Sequence, residues 1–422
     1  MELKPARLAL AGLLLLTAIA SACSEDLDNS SGCPLLCPSQ GGSIETITID
    51  AVSLDSTVSA LAGQGNEVSL FVATRGDTLD SRAIIRFDSI PARYVKPGAD
   101  TTSFDIAQAD SAFLRIRIDT VGMKVPSTFT LDFYDVSTDA ADSLVAPVAA
   151  LFTADRLIAS KTLSRDSVIA RDTVNVAIPS DAIVQRKGGR LRFGIRARGP
   201  SSVQLRIWSQ EGAGNPSLLS FRVSPDTTIA KVQLAPYSKT PADNPPTALA
   251  LADYTLLVRG TATGAPDLLN IGGLPARRVY MRFDIPARLV DSVDVIRATL
   301  LLNQVANPSI DPGDTVKIIP QVSLAGIVVT DIAKASQITV SASSDTLRVT
   351  PGGSGQRLLE IASVMSLWRS QKATETPRAL VLISSQEGSS PLEARFYGNQ
   401  AAAGLRPQLR ISYSTRKATG LP

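Results

Sequence analysis

The chain has 422 residues, of which 44% are hydrophobic and 19% charged, a balance typical of globular domains. Its formal net charge is only +3, so no charge excess attracts it to nucleic acid. It contains no histidine, which removes the commonest general base and the commonest transition-metal ligand. With no Gly-x-Ser-x-Gly elbow, phosphate-binding glycine loop or metalloprotease motif either, we expect the protein not to be an enzyme.

The N-terminus has the pattern of an export signal. Lys4 and Arg7 precede an apolar segment, Leu8 to Ile19, and small residues follow at 20–22. The apolar segment is too short to cross a bilayer as a helix, which needs ~20 residues. Residues 1–22 are therefore predicted to be a signal peptide that is removed on export.

The sequence Ala20-Ser21-Ala22-Cys23 resembles a bacterial lipobox. The resemblance implies that Cys23 becomes the lipid-modified first residue of a lipoprotein; plain secretion with an unmodified cysteine is the alternative. Ser24 follows Cys23, whereas lipoproteins kept at the inner membrane carry Asp there, so the expected location is the outer membrane. The acidic residues next in line either signal export to the cell surface or simply belong to a flexible tether.

Residues 23–43 form that predicted tether, because they are polar and rich in Gly and Ser. Cys33 and Cys37 lie within it and could close a small disulfide loop in an oxidising compartment. Two cysteines without histidine cannot make a four-ligand zinc site.

From Ile44 onward, short alternating runs rich in Val, Ile and Thr are separated by turn residues. This pattern predicts an all-β fold of antiparallel sandwich or jelly-roll type. The clearest predicted strands are Ile44–Ile49, Ser69–Ala73, Phe113–Ile118, Thr128–Tyr134, Leu191–Ile195 and Val203–Trp208.

One sequence motif occurs twice, at 83–93 and at 279–288. It consists of an alternating strand that contains Arg-Phe-Asp and is followed by Ile-Pro-Ala-Arg. Further segments match in the same order, so the chain is predicted to contain a tandem repeat. The predicted division is a signal peptide at 1–22, a tether at 23–43, a β-sandwich repeat at 44–224, a linker or first strand at 225–247, a second β-sandwich repeat at 248–414 and a C-terminal tail at 415–422.

A short helix is predicted in the second repeat at Gln356–Ser370, where Met365 and Trp368 share a helical spacing with Leu358. Trp368 is expected in the core. The first repeat has only Pro179–Val184 at the corresponding place, which predicts a single helical turn.

Aromatic residues and arginines pair on the penultimate strand of each repeat. If Val203, Leu205 and Ile207 face the core, then Arg206 and Trp208 face outward. Arg395 and Tyr397 occupy the same positions in the second repeat. An aromatic ring beside a guanidinium suits an acidic sugar, whereas the alternative is a ring that packs under a loop at the strand end.

Two other patterns allow a structural and a functional interpretation. Arg86 with Asp88, and Arg282 with Asp284, are expected to form cross-strand ion pairs on a half-exposed face. The many Asp-Thr and Asp-Ser pairs satisfy turns through side-chain hydrogen bonds. Some of them could bind Ca²⁺, but no spacing identifies metal ligands.

Together these segments resemble the DNRLRE-type β-sandwich of bacterial surface proteins. The Arg-Phe-Asp strand, the strand after it, a helix ending in Trp and a closing Pro-x-Leu-x-Ile-x-Tyr strand carry the resemblance; the hexapeptide that names the family is absent. The resemblance implies a non-catalytic, carbohydrate-binding module with polysaccharide as its partner. The expected protein is a cell-envelope lipoprotein, joined to the membrane through its lipid. A structural or adhesive surface protein is the alternative, and a polysaccharide-degrading enzyme comes last.

Overall fold

The computed structural model describes Gly65, Gly98, Gly264, Ala265 and residues 44–60, 67–96, 102–138, 144–212, 216–223, 228–239, 251–262, 267–308, 311–324, 339–341, 345–370 and 378–415. Almost all regular structure in these residues is antiparallel strand, so the fold is all-β, as predicted. The first fifteen strands are β1 Ile44–Ile49, β2 Val52–Ala60, β3 Ser69–Arg75, β4 Leu79–Phe87, β5 Arg93–Val95, β6 Ser103–Asp105, β7 Asp110–Lys124, β8 Thr128–Asp135, β9 Leu157–Ser164, β10 Thr173–Ala177, β11 Leu191–Arg198, β12 Val203–Trp208, β13 Leu218–Arg222, β14 Val232–Leu234 and β15 Asp253–Arg259.

The later strands are β16 Leu268–Gly272, β17 Ala276–Phe283, β18 Val293–Val305, β19 Val316–Ser323, β20 Thr339–Ser341, β21 Leu347–Val349, β22 Gly355–Glu360, β23 Ala379–Ser384, β24 Glu393–Tyr397 and β25 Gln408–Thr415. The α-helices are short: α1 Val145–Ala149, α2 Arg165–Ala170, α3 Ser180–Val184, α4 Arg288–Asp291 and α5 Ala362–Ser370. Helices thus occur in both repeats, and α3 is the single turn expected in the first.

The strands form two sandwiches, each with its own hydrophobic core. Sandwich 1 consists of β3, β4 and β7 to β15, with β5 and β6 paired in a separate two-stranded sheet, and sandwich 2 consists of β1, β2 and β16 to β25. In sandwich 1 the long strand β7 serves both layers, because its first half pairs with β10 and β13 and its second half pairs with β12. In sandwich 2, β18 is the corresponding strand and pairs with β22, β24 and β25.

The two repeats exchange their opening strands. β1 pairs with β25 and β2 pairs with β17, so the first strands of the chain complete sandwich 2. In return, β14 pairs with β13 and β15 pairs with β4, so these strands complete sandwich 1. The strand pairing therefore differs from the contiguous division at 44–224 and 248–414. Alternation predicts that a segment is a strand. It does not predict whether that strand pairs within its own repeat or with the equivalent strand of the other repeat.

The exchanged strands are held by equivalent contacts in the two sandwiches. Asp253 Oδ2 accepts a hydrogen bond of 2.9 Å from the Gln210 amide in sandwich 1, and Asp55 Oδ2 accepts one of 2.6 Å from the Asn399 amide in sandwich 2. Thr255 likewise accepts from the Phe71 amide, and Thr57 accepts from the Asn270 amide, both at 3.0 Å. The matched side chains show that the exchanged strands occupy equivalent places in the two sandwiches.

The helix predicted at Gln356–Ser370 is wrong in its first third. Residues Gly355–Glu360 form β22, which pairs with β18, and only Ala362–Ser370 is helical. Short apolar runs fit strand and helix equally well, and here pairing with a neighbouring strand decides. Trp368 is buried as predicted, with its ring 5.1 Å from that of Phe283.

The Arg86 and Asp88 pair also differs from its prediction. The two side chains form an ion pair of 2.6 Å along one strand, not across strands, and both are buried. Arg190 approaches the same carboxylate at 2.8 Å. Two guanidinium groups and a backbone amide lower the pKa of Asp88, although burial alone would raise it. The pair therefore belongs to the interior of sandwich 1.

Candidate functional site

Several predicted features lie outside the described residues. These are the signal peptide at 1–22, the tether at 23–43 and the C-terminal tail at 415–422 beyond Thr415, together with Cys23, Cys33 and Cys37. In the part of the chain that the structure describes, no helix is both long and apolar enough to span a bilayer. The same described part holds no group of three or more Cys, Asp or Glu side chains arranged to hold a metal ion.

The two predicted aromatic residues lie at strand ends, between core and solvent. Val203, Leu205 and Ile207 are buried, so Trp208 follows the predicted alternation, and it is half-buried. A Cβ added at Gly212 would lie 2.8 Å from Trp208 Cε3, which shows that the indole packs closely against the turn that follows its strand. Tyr397 is also half-buried.

The two predicted arginines make internal contacts. Arg206 Nη2 lies 2.9 Å from Asp119 Oδ2 and also donates to the carbonyl of Val121. Arg395 Nε donates to Glu393 Oε1 at 2.8 Å, and Glu393 is almost fully buried. These contacts fix both guanidinium groups and reduce the donors left for a ligand.

Sequence reasoning missed a groove on the outer face of sandwich 1. It has a volume of about 260 Å³ and is lined by Arg115, Arg117, Asp172, Thr173 and Pro216. The groove lies where β7 runs between β10 and β13, so three neighbouring strands contribute to this face.

Strand alternation places both arginines on this face. Leu114 and Ile116 are fully buried, and the residues between and after them, Arg115 and Arg117, therefore point away from the core. Arg117 Nε donates to Asp172 Oδ2 at 2.5 Å, and this contact holds the pKa of Asp172 below its ordinary value. Within the described residues, the side chain of Arg115 makes no hydrogen bond or ion pair.

Neighbours of the arginines extend the same face. Phe113 precedes Arg115 by two positions on β7, and the Nζ of Lys231 lies 5.9 Å from the centre of its ring. Exposed Asn175 is opposite Arg115 in the strand register. The face thus combines an aromatic ring, an amide and cations. The alternation of arginine with apolar residues at 112–118 was the available sequence signal.

Sandwich 2 lacks this combination at the equivalent place. The repeat alignment matches Arg115 with Leu301 and Arg117 with Asn303, on the strand β18 that corresponds to β7. The strand opposite carries Leu358 in place of Asn175, and Leu358 is exposed. The pair of cations is therefore specific to sandwich 1.

A second polar cluster lies where the exchanged strand β15 begins. Glu67 and Asp253 are both almost fully buried, and burial raises the pKa of each to about 7, with the carboxylate of Glu211 adding like charge. Asp253 Oδ2 accepts from the Gln210 amide, whereas its Oδ1 is buried without a hydrogen-bond partner. Both carboxyl groups are thus easier to bury when protonated.

We expect this cluster to make stability depend on pH. Because the folded-state pKa values exceed the ordinary ones, the native chain binds more protons, and the free energy of unfolding falls as pH rises from ~4 to ~7. Asp253→Asn keeps an acceptor for the Gln210 amide and cannot ionise. In this variant the free energy of unfolding should decline less between pH ~4 and ~7, by a few kcal/mol at most. Urea titrations at successive pH values measure this free energy. Asp77→Asn, at a fully exposed carboxylate, is the control and should leave the profile unchanged. An unaltered profile in Asp253→Asn would contradict the expectation.

No family model matches this chain, and no curated protein matches it. Among solved structures, the one described as "The 2.6A structure of Infectious Bursal Virus Derived T=1 Particles" aligns with 13% sequence identity, covering 87% of this chain and 76% of that chain. Its TM-score is 0.12, too low to support any argument about fold or function. The resemblance to the DNRLRE-type sandwich accordingly stays a prediction.

Proposed function

We propose that this protein is a non-catalytic binding protein and that the arginine groove of sandwich 1 holds an acidic polysaccharide. The observation that carries the proposal is the pair Arg115 and Arg117, which lie side by side over a groove of about 260 Å³. Planar guanidinium groups bind carboxylates and sulfates in two-point fashion. Arg115 has its donors available, whereas Arg117 next to it is paired with Asp172 at 2.5 Å, so the net positive charge of the groove comes from Arg115.

The surroundings of the groove suit a sugar polymer better than a small anion. Phe113 offers a ring on which a sugar face can stack, and Asn175 offers an amide for hydroxyl groups. The face extends across β10, β7 and β13, so a linear chain can lie over the strands and contact several side chains at once. Many modest contacts along a polymer give avidity without a deep pocket.

The setting that we propose is the cell envelope. Cys23 would carry the lipid, residues 24–43 would be the tether, and the outer membrane would be the site of attachment. The described residues begin with Ile44 of β1, which lies in sandwich 2. Sandwich 1, which carries the groove, is therefore not the sandwich joined directly to the tether.

A structural spacer is the second candidate, and the strand exchange favours it. Because each sandwich depends on strands from the other repeat, the two cannot separate without breaking both sheets. A firmly coupled pair of sandwiches would suit a surface protein that holds other envelope proteins at a distance. Binding measurements distinguish the two functions.

Arg115→Ala and Arg117→Ala should each weaken binding to an acidic polysaccharide about tenfold or more, the cost of losing a charged hydrogen bond. The measurement is gel retardation with polygalacturonate, alginate or heparin, with neutral dextran as a ligand control. Arg410→Ala is the matched protein control, since Arg410 is exposed on β25 of sandwich 2. Binding should also weaken as salt concentration rises.

Lack of retardation by all three acidic polymers would reject polysaccharide binding and leave the spacer. Equal binding by the wild type and by the double variant would reject the groove as the site. Release of reducing ends from any polymer would contradict the non-catalytic assignment.

A further inference from the structure

A polar cleft lies between the two sandwiches, away from the arginine groove. Its volume is about 220 Å³, and both sandwiches line it. Sandwich 1 contributes Gln204 and Met123, and sandwich 2 contributes Gln386, Thr315 and Ser389. Buried Phe71 and Leu392 supply apolar surface at the same place.

The charged groups that line the cleft already have partners of opposite sign. Arg206 forms an ion pair with Asp119 at 2.9 Å, and Asp314 accepts from Lys124 at 2.5 Å. A ligand that enters the cleft therefore meets a lining with little uncompensated charge. This favours a neutral occupant, because a charged one would lose its hydration without gaining a free counter-charge.

The amide groups of the cleft are the donors and acceptors left for such an occupant. Within the residues that the structure describes, the side-chain amides of Gln204 and Gln386 take part in no hydrogen bond, and they come from opposite sandwiches. Each amide both donates and accepts, which matches a pair of neighbouring hydroxyl groups. The hydroxyls of Thr315 and Ser389 add further polar partners.

The walls of the cleft are fixed in relation to each other. Leu274 of sandwich 2 is buried against Phe71 and Leu79 of sandwich 1. Asp311 of sandwich 2 lies 3.0 Å from Lys124 Nζ and 3.6 Å from Arg75 Nη1. Together with the exchanged strands, these contacts preform the cleft, and a preformed site binds without an ordering cost.

We propose that this cleft is a saccharide subsite that takes one neutral sugar ring, with Gln204 and Gln386 binding its hydroxyl groups. The size supports one ring, because the cleft is smaller than the ~300 Å³ at which pockets for drug-sized ligands begin. The apolar surface of Met123 and Leu392 suits the C–H face of a sugar. The subsite is independent of the arginine groove and does not need it to bind.

The test is saturation-transfer NMR on the folded chain with glucose, galactose, mannose and N-acetylglucosamine as probes and glucuronate as the charged comparison. At least one neutral sugar should bind with a dissociation constant in the millimolar range, and glucuronate should bind more weakly. The double variant Gln204→Ala/Gln386→Ala should weaken that binding at least tenfold. Thr315→Trp, at an exposed rim position, should also weaken it by filling the entrance.

Gln233→Ala is the matched control, since Gln233 is exposed on β14 and distant from the cleft in the strand order. Arg115→Ala should leave neutral-sugar binding unchanged, which separates this subsite from the proposed polysaccharide groove. Absence of binding by all four neutral sugars would overturn the proposal, and so would binding that survives both the double variant and Thr315→Trp.

Discussion

Cutting the chain between the two repeats should leave fragments that a single engineered disulfide still joins. The cut is a protease site placed between Lys239 and Leu251. The disulfide comes from Thr46→Cys with Ser412→Cys, whose hydroxyl oxygens lie 2.9 Å apart across β1 and β25. Thr46 is exposed and Ser412 is half-buried, and the separation of their oxygens allows two sulfur atoms to bond with little movement. Cys23, Cys33 and Cys37 are changed to Ser throughout.

The expected result follows from the strand exchange. After cleavage, β1 belongs to the N-terminal fragment and β25 to the C-terminal one, yet they are neighbours in one sheet. A contiguous pair of domains would hold β1 in the N-terminal fragment's own sandwich, too far from Ser412 to bond. On a non-reducing gel, the cleaved protein should therefore run at full mass, and on a reducing gel as two fragments.

Thr130→Cys with Thr162→Cys is the matched control. These hydroxyl oxygens lie 3.1 Å apart and are also exposed, but both residues belong to the N-terminal fragment. The control disulfide should form and yet fail to join the fragments. Separated fragments in the Thr46–Ser412 variant, despite a closed control disulfide, would refute the exchange. A disulfide between two chains would show that the exchange occurs between molecules.

Glu393→Gln should destabilise the protein more than Asp253→Asn or Glu360→Gln. The side chains of Arg277 and Glu393 form an ion pair in sandwich 2 and are only 2% and 3% exposed. The variant leaves the guanidinium of Arg277 buried without its counter-charge. Removing one partner of a buried pair costs about 3–5 kcal/mol. Urea unfolding should show a loss of this size.

The neighbours of the pair connect it to the exchanged strand. Arg277 Nη2 donates to the carbonyl of Thr261 at 3.2 Å, two residues after the end of β15. Arg395, one of the residues predicted to bind a ligand, reaches the other oxygen of Glu393 at 2.8 Å. Loss of Glu393 should therefore loosen the join between the sandwiches as well as the sheet of sandwich 2.

Glu360→Gln provides the control for this prediction. Glu360 pairs with Arg297 at 2.7 Å, but the side chain of Arg297 is 65% exposed. Solvent screening limits such a pair to about 1 kcal/mol at most. The double variant Arg277→Met/Glu393→Leu should recover much of the lost stability, because it removes the guanidinium that Glu393→Gln leaves buried without its counter-charge. Equal losses in Glu393→Gln and Glu360→Gln would contradict a buried role for the first pair.

The sequence by itself determined the local features of this protein. Alternation within Val203–Trp208 correctly predicted a strand and the residues that it buries, because a strand that packs on one face must be apolar at every second position. The duplicated Arg-Phe-Asp motif correctly predicted two similar sandwiches. The apolar residues at helical spacing before Trp368 correctly predicted that its side chain is buried in a core.

Only the tertiary structure decided which strands pair. β1 contacts β25 through Glu45 with Tyr413 and through Thr46 with Ser412, pairs that lie 368 and 366 residues apart in the chain, and the alternation within β1 does not indicate these partners. The structure of β22 was also decided by its partner. Its apolar spacing is compatible with a helix, but the segment forms a strand because it pairs with β18. The arginine groove and the cleft also lie beyond local patterns, because each joins residues far apart in the chain. Periodicity in the sequence predicts which face of a strand is buried. A binding site also depends on which residues from other strands lie next to that face, and only the tertiary structure determines them.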